Sequence, residues 1–131
     1  EHLGEVGQFW LRKSRKPVLA VLLVEKRTSR GDVQVVVHRG MNCEVSMPTG
    51  SLCAERNAIG SALANDPTLL RQSLKMIAVL SSKMDTTDLN PLAPCGACNE
   101  WLLKIAEANP SFKIVTFDSI DCDSVYIHQL L

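Results

Sequence analysis

The sequence has few aromatic residues, no excess of charge and no long apolar segment. Aromatic residues make up 5% of the 131 residues, too few to stack along a nucleic-acid single strand. Acidic and basic residues balance at 14 each, so no overall field attracts nucleic acid or an anionic membrane surface. No apolar run is long enough to span a bilayer. We therefore expect a cytoplasmic protein with neither nucleic acid nor a membrane among its partners.

The cysteines are the next informative feature. There are 5 of them, an odd number, and their spacing is not that of a disulfide framework. Metal binding in a reducing compartment fits them better. The length predicts a single domain over residues 1–131. The chain begins at Glu1 rather than Met, as expected for a domain cut from a longer protein.

The spacing of apolar residues predicts an α/β fold. The predicted strands cover residues 17–25, 33–40, 74–82 and 112–118, and residues 123–131 fit either a last strand or a helical turn. The predicted helices cover residues 1–11, 52–65 and 95–109, with Ser51 as the N-cap of the second. The first two strands should form an antiparallel hairpin, whereas strands joined through helices should pair in parallel. Together these elements predict a sandwich with a mixed sheet.

Two of the predicted helices begin at cysteines. Cys95 and Cys98 form a CxxC pair, which on its own fits a redox centre as well as a zinc site. Cys53 also lies at a helix start, so two adjacent helix N-termini would bring three thiolates together and favour their negative charge. Three protein ligands leave the fourth position of a tetrahedral zinc ion open, which is typical of a catalytic site.

Two charged residues follow Cys53 in the first helical turn. Glu55 could take up and return the proton of a water activated by the metal, without itself binding the metal. Arg56 could offset the negative charge of three thiolates by hydrogen bonding to the sulfurs. A cysteine in isolation is usually a buried core thiol. The presence of Glu55, Arg56 and the CxxC pair at fitting positions favours metal binding for Cys53 instead.

The segments CAE and PCGAC together resemble the zinc signature of the cytidine deaminase superfamily, in the form with three cysteines. In that chemistry zinc-activated hydroxide attacks C4 of cytosine, and a glutamate that is not a ligand acts as acid and base. The resemblance implies one Zn²⁺ held by Cys53, Cys95 and Cys98, with Glu55 as the catalytic group. It also implies a three-layer α/β/α sandwich with a mixed sheet of about five strands. The three-cysteine form points to small tetrameric nucleoside deaminases rather than to the histidine-ligated nucleotide and nucleic-acid editing branches.

A second match concerns the substrate. The segment GMNCEV resembles the G-x-N-x-E loop of the same family. By that resemblance Asn42 and Glu44 hydrogen-bond the ribose hydroxyls, and the backbone at Ala54 reads the edge of the base. A carboxylate and an amide suit a hydroxyl that both donates and accepts. Without the resemblance, Asn42 and Glu44 would be interpreted as turn residues after a strand.

The sequence also departs from the family pattern. Lys16 stands where the family usually has an aromatic residue beside the nucleoside. Lys16 is either a solvent-facing lysine or a cation that meets a phosphate. The loop before PCGAC is longer than usual, and the chain stops at Leu131, where the family continues toward a neighbouring subunit. Trp101 falls on a predicted helix face and is expected in the core.

The leading hypothesis is hydrolytic deamination of cytidine or 2′-deoxycytidine to the uridine product, with release of ammonia. The resemblance also implies a homo-oligomer, a tetramer or a dimer. One alternative is deamination of a modified or phosphorylated cytosine compound, including blasticidin S. The others are a nucleic-acid editing deaminase, which the balanced charge disfavours, and a zinc-stabilised scaffold, which has no need for Glu55.

Overall fold

A five-stranded mixed sheet forms the centre of the molecule. The computed structural model describes residues 4–46, 51–81 and 88–130. The strands of the sheet are β1 (Val18–Arg27), β2 (Val33–Met41), β5 (Leu74–Ser81), β6 (Lys113–Phe117) and β7 (Val125–Gln129), and a small ribbon joins β3 (Cys43–Glu44) to β4 (Ser51–Leu52). The helices are α1 (Ala54–Asn65) and α2 (Gly96–Ala108), with short helical segments at Val6–Trp10 and Arg71–Ser73.

The strand order in the sheet is β2-β1-β5-β6-β7. β1 pairs antiparallel with both β2 and β5. The pair of β1 and β2 is the predicted hairpin. β5 and β6, which are joined through α2, pair in parallel, and β7 adds antiparallel to β6. The α/β class and the mixed sheet of five strands are confirmed, and the ambiguous C-terminal segment is a strand.

Both α-helices pack against the same face of the sheet. In β1 the side chains alternate, and Ala20, Leu22 and Val24 are fully buried on this face. On α1, Ala54, Ala58 and Ala62 recur every fourth residue and are buried against the sheet. These small side chains let the helix backbone approach the strands closely. The two helices thereby share one hydrophobic core, which fixes their N-termini relative to each other.

Two local expectations are wrong. Ser51 is not the N-cap of α1, because residues 51 and 52 stay extended and pair with Glu44 and Cys43. Cys53 is the N-cap instead, so the helix begins two residues later than predicted. Trp101 is not a core residue, since 45% of its surface is exposed. The predicted helix over residues 1–11 is represented by the segment Val6–Trp10, wound as a π-helix, and residues 1–3 lie outside the described residues.

The opposite face of β2 is apolar and exposed. Val33, Val35 and Val37 point away from α1 and are 50%, 59% and 56% exposed. β2 is also an edge strand of the sheet. Among the described residues, no helix has both the length and the apolar character needed to cross a membrane.

Candidate metal and substrate site

Three cysteine thiols meet where the two α-helices begin. Cys53 is the N-cap of α1, Cys95 is the N-cap of α2, and Cys98 lies in the first turn of α2. The three sulfurs lie within 4.8 Å of one another, and the sulfurs of Cys53 and Cys95 are 3.4 Å apart. The unpaired N–H groups and dipoles of two helix N-termini favour thiolate charge at this point. The structure thus brings together the three residues that the sequence predicts as ligands.

The cluster fits a zinc ion. Tetrahedral zinc with Zn–S bonds of about 2.3 Å requires sulfurs roughly 3.8 Å apart, which lies within the observed spacing. Soft thiolate ligands also favour zinc over magnesium or calcium. Cys98 is fully buried, Cys53 half-buried and Cys95 exposed, so the cluster is open on one side. Three ligands and one accessible side match the donor set of a catalytic zinc site.

The thiols differ in their electrostatic surroundings. Burial raises the pKa of the Cys98 thiol, and its contacts with Cys95, Glu55 and Cys53 raise it further. Burial also acts to raise the pKa of Cys95, but hydrogen bonds from Cys98 and Cys53 outweigh it and the net shift is downward. One of these donors is the backbone N–H of Cys98, 3.4 Å from the Cys95 sulfur. Without a metal, negative charge is therefore favoured at Cys95 rather than at Cys98.

Arg56 lies beside the sulfurs, as the sequence predicts. Its Nη2 donates a hydrogen bond to the Cys53 sulfur at 3.5 Å. This bond is the main reason that the pKa of the guanidinium is raised above its usual value. The other neighbour is Trp101, whose ring centroid lies 5.9 Å from Arg56 Cζ in a cation–π contact.

Glu55 is the buried carboxyl group of the site, with only 5% of its surface exposed. Burial raises its pKa above the usual value, although its own backbone N–H, the Cys98 thiol and the charge of Arg56 oppose this. A carboxyl group with a raised pKa is suited to exchanging a proton near neutral pH. Glu55 therefore combines proximity to the cluster with the environment of a general acid or base.

A cavity of about 250 Å³ opens beside the cysteines. Its lining includes Cys53, Ala54, Glu55 and Cys95 from the metal side. The residues predicted to bind a sugar or a phosphate line the same cavity: Lys16, Asn42 and Glu44. Ala54 is the first residue of α1, so its backbone N–H has no partner within the helix. One pocket therefore contains all the predicted site residues except Cys98 and Arg56, which lie behind it.

Asn42 also has a structural role that the sequence did not indicate. Its Oδ1 accepts a hydrogen bond from the backbone N–H of Val18, and its Nδ2 donates to the carbonyl of Lys16, both at 2.9 Å. The side chain is buried and holds the start of β1 beside the end of β2. One amide hydrogen and one oxygen lone pair remain for a substrate hydroxyl.

Ser14 also belongs to the site, although the sequence did not predict it. The Ser14 hydroxyl donates a hydrogen bond to Glu44 Oε1, and Ser14 itself lines the cavity. Nearby, Arg12 Nε donates to the carbonyl of Val45 at 2.6 Å. The segment before β1 thus fixes the predicted sugar-binding loop from the opposite side. The pair is thirty residues apart in the chain, and no local pattern signals it.

The wall contributed by the loop before α2 was also missed. Asn90 exchanges two hydrogen bonds with the backbone of Ser81, each of 2.9 Å, and so ties the loop to the end of β5. Asp88 receives a hydrogen bond from the backbone N–H of Ile120 at 2.8 Å. With the loop held in this way, Leu89 and Leu92 form an apolar side of the cavity. The residues at 82–87, in the part of this loop expected to be unusually long, lie outside the described residues.

Comparison with known proteins places these features in a family. The family model described as "LmjF365940 subfamily CDD/CDA-like deaminase" matches residues 1–88 and 81–131, and thus the whole chain. No curated protein sequence matches the chain.

Solved structures of similar fold include bacterial cytidine deaminases. The chain is similar to the cytidine deaminase from Burkholderia pseudomallei, with 25% identity, a TM-score of 0.65, and coverage of 94% of this chain and 82% of the other. The enzyme from Mycobacterium leprae matches with 22% identity, a TM-score of 0.57 and the same two coverages. The enzyme from Mycobacterium tuberculosis matches with 23% identity and a TM-score of 0.55, over 85% of this chain and 78% of the other. The last two likenesses show a shared fold.

Proposed function

Since the chain belongs to the LmjF365940 subfamily of CDD/CDA-like deaminases, within the cytidine deaminase superfamily, we propose that it is a zinc-dependent cytidine deaminase. The reaction is the hydrolysis of cytidine or 2′-deoxycytidine. Water adds its oxygen to C4 of the base, the bond between C4 and the exocyclic nitrogen breaks, and uridine or 2′-deoxyuridine and ammonia leave.

The observation that carries the proposal is the position of Glu55. This buried carboxyl lies next to a three-thiol cluster and lines the cavity that Asn42 and Glu44 also line. A purely structural zinc site has no use for a carboxyl group with a raised pKa at its open side. The arrangement instead suits a reaction in which protons move between water, a ring nitrogen and a leaving amine.

Each residue near the cluster has a proposed role. Cys53, Cys95 and Cys98 hold Zn²⁺, which when bound supplies the Lewis acidity that makes water nucleophilic near neutral pH. Glu55 accepts a proton from water and delivers it to the ring nitrogen of the base, and it then carries the second proton, from the hydroxyl added at C4, to the departing amine. Arg56 offsets the negative charge of the thiolates through its hydrogen bond to Cys53.

The remaining side chains of the cavity bind the nucleoside. Glu44 and Asn42 hydrogen-bond the sugar hydroxyls, and Ser14 holds Glu44 in place. The free backbone N–H of Ala54 at the start of α1 contacts the edge of the base. Leu89 and Leu92 give the base an apolar surface to pack against. This division puts the carboxylate and the amide at the sugar hydroxyls and the metal at the amine.

A phosphorylated or modified cytosine compound is the second candidate substrate. Lys16 favours it, because this exposed cation lines the same cavity as the sugar-binding residues. A lysine ammonium is a compact charge that suits a phosphate on the sugar. Comparison of cytidine, cytidine monophosphate and blasticidin S in one assay separates these substrates.

We also propose that the protein is a cytoplasmic homo-oligomer, a tetramer or a dimer. The exposed valines of β2 support self-association, since apolar side chains in a row on an edge strand are usually covered by a partner. This part of the proposal depends on the surface of β2.

The deciding experiment is an ultraviolet absorbance assay of cytidine and deoxycytidine turnover by the zinc-loaded protein. Glu55→Gln keeps the shape of the side chain and removes its proton exchange, so we expect turnover to fall by about 10²- to 10⁴-fold. Glu107→Gln, an exposed carboxyl on α2 outside the cavity, is the matched control and should keep full activity. Zinc content should be the same in all three proteins.

Two results would count against the proposal. Equal turnover by the parent protein and Glu55→Gln would remove Glu55 from the chemistry. No turnover of any cytosine compound by folded, zinc-loaded parent protein would favour a zinc-stabilised scaffold instead.

A further inference from the structure

Arg56 lies between the metal cluster and an aromatic ring. Its polar contacts run to the cysteine thiols, with the bond to Cys53 at 3.5 Å. Neither of the two ion pairs found among the described residues includes Arg56, and its buried Nε has no hydrogen-bond partner there. The ring of Trp101, with its centroid 5.9 Å from Cζ, is therefore the contact that orients the guanidinium from outside the cluster.

The two helices place this contact directly behind the cysteines. Arg56 follows Cys53 by three residues on α1, and Trp101 follows Cys98 by three residues on α2. Residues three apart lie on the same side of a helix, about one turn from each other. The Arg56–Trp101 contact therefore bridges α1 and α2 one turn beyond the sulfurs. A change at Trp101 would move the guanidinium relative to the Cys53 thiol.

The exposure of Trp101 indicates that its role is not core packing. The side chain is 45% exposed and forms part of the wall of an apolar cavity of about 370 Å³. The rest of the wall is mainly aliphatic and comes from α1, α2 and the segment from α1 to the start of β5, with two basic side chains, Arg71 and Lys104. The aliphatic residues are Ile59, Leu63, Leu69, Leu70, Leu74 and Ile105. A leucine could serve as such a wall equally well, whereas a cation–π contact requires an aromatic face.

We propose that Trp101 is a positioning residue for the metal centre, whose ring holds the Arg56 guanidinium against the thiolate of Cys53. The inference rests on the metal site of the proposed function. A guanidinium held in this place offsets thiolate charge and stabilises the loaded site. Without the ring, Arg56 turns toward solvent for part of the time and zinc is bound less tightly.

The test is the zinc dissociation constant of the full chain, measured by competition with a chromophoric chelator. We expect Trp101→Leu to raise Kd about two- to fivefold, the factor that corresponds to one cation–π contact at an exposed site. Trp101→Phe keeps an aromatic face and should stay within about twofold of the parent protein. The matched control is Trp10→Leu, since Trp10 is 44% exposed and contacts Phe9 instead of the cluster.

A second pair of variants separates positioning from a structural effect. In an Arg56→Met background there is no guanidinium to orient, so adding Trp101→Leu should leave Kd unchanged. Circular dichroism confirms that each variant is folded. The inference is overturned if Trp101→Leu raises Kd equally in both backgrounds, or if Trp101→Phe binds zinc as weakly as Trp101→Leu does.

The outcomes also distinguish this inference from the proposed function. A parent protein that binds zinc and deaminates cytidine, with a Trp101→Leu variant of equal Kd, would overturn the role of Trp101 alone. A folded parent protein that binds no zinc would overturn both.

Discussion

Gly40 of β2 lies against the backbone of Ala58 in α1. A Cβ atom placed on Gly40 would be 2.7 Å from Ala58 Cα and 2.5 Å from the carbonyl oxygen of Ala54. Both neighbours are backbone atoms and cannot rotate away as a flexible side chain could. The helix therefore lies at a distance from the sheet that only glycine allows. Because α1 begins at the cysteine cluster, this contact also sets the position of Cys53.

The first prediction is that Gly40→Ala destabilises the protein and disturbs the metal site. Overpacking of a close contact costs about 1–3 kcal/mol, and α1 must shift to make room. We expect a lower urea midpoint together with weaker zinc binding. The matched control is Gly60→Ala in α1, because a Cβ atom on Gly60 would meet no atom within 4 Å.

The control should change stability in the opposite direction. Replacing a glycine inside a helix with alanine stabilises by roughly 0.5–1 kcal/mol. Gly60→Ala should therefore raise the urea midpoint and leave zinc binding unchanged. Equal midpoints for Gly40→Ala and the parent protein would show that α1 is not held by this contact.

The second prediction concerns the hydrogen bond from Ser14 to Glu44. Ser14→Ala removes this bond and leaves the Glu44 carboxylate free to turn away from the proposed sugar position. We expect KM for cytidine to rise about fivefold, the factor for one net hydrogen bond, while kcat changes little. Ser14→Thr keeps the hydroxyl and should restore KM. Steady-state kinetics that show a fall in kcat with unchanged KM would contradict a role in sugar binding.

Much of the fold could be predicted because its signals are local. The first four strands of the sheet are apolar segments bounded by turn residues, and the sequence patterns located them to within two residues. The last strand, β7, was left open between a strand and a helical turn. The helix containing Cys95 and Cys98 was found in the same way. The proximity of Cys53 to this pair was a topological inference, and the sulfur spacing confirms it.

The features that could not be predicted depend on contacts between distant segments. Ser14 and Glu44 are thirty residues apart, and nothing near either residue signals the pair. Ser51 has the chemistry of an N-cap, but pairing with Glu44 keeps it extended. Trp101 has helical apolar spacing, yet it contacts Arg56 at the surface instead of packing inside. In each case tertiary contacts override a local preference.

The third prediction concerns pH and the Asp66 carboxylate. The ion pair with Lys26, followed by hydrogen bonds from Thr68, lowers the pKa of Asp66 from 3.8 to about 2. A lowered pKa in the folded state means that the charged form stabilises the fold. This contribution is complete above the unfolded pKa near 4 and is lost as the pH falls toward about 2.

Asp66→Asn should therefore melt at a lower temperature than the parent protein at pH 7. The difference should shrink as the pH falls below 4 and disappear only below the folded pKa of about 2, where the Asp66 carboxyl is protonated and both side chains are uncharged. Asp123→Asn, an exposed change of the same chemistry, is the control and should leave the melting temperature at pH 7 unchanged. If the difference in melting temperature between Asp66→Asn and the parent protein stayed constant from pH 7 to pH 2, the effect would be due to packing and not to charge.

The last prediction tests self-association through β2. The side chains of Val33, Val35 and Val37 form an exposed apolar row on this edge strand. Edge strands in contact with water usually carry charged side chains instead. We expect the parent protein to sediment as an oligomer and Val35→Lys to sediment at lower mass, because a lysine there places a charge within an apolar interface. Ala64→Lys introduces the same charge at an exposed position of α1 and should not change the mass. A monomeric parent protein, or equal dissociation by both lysines, would exclude this face of β2 as the interface.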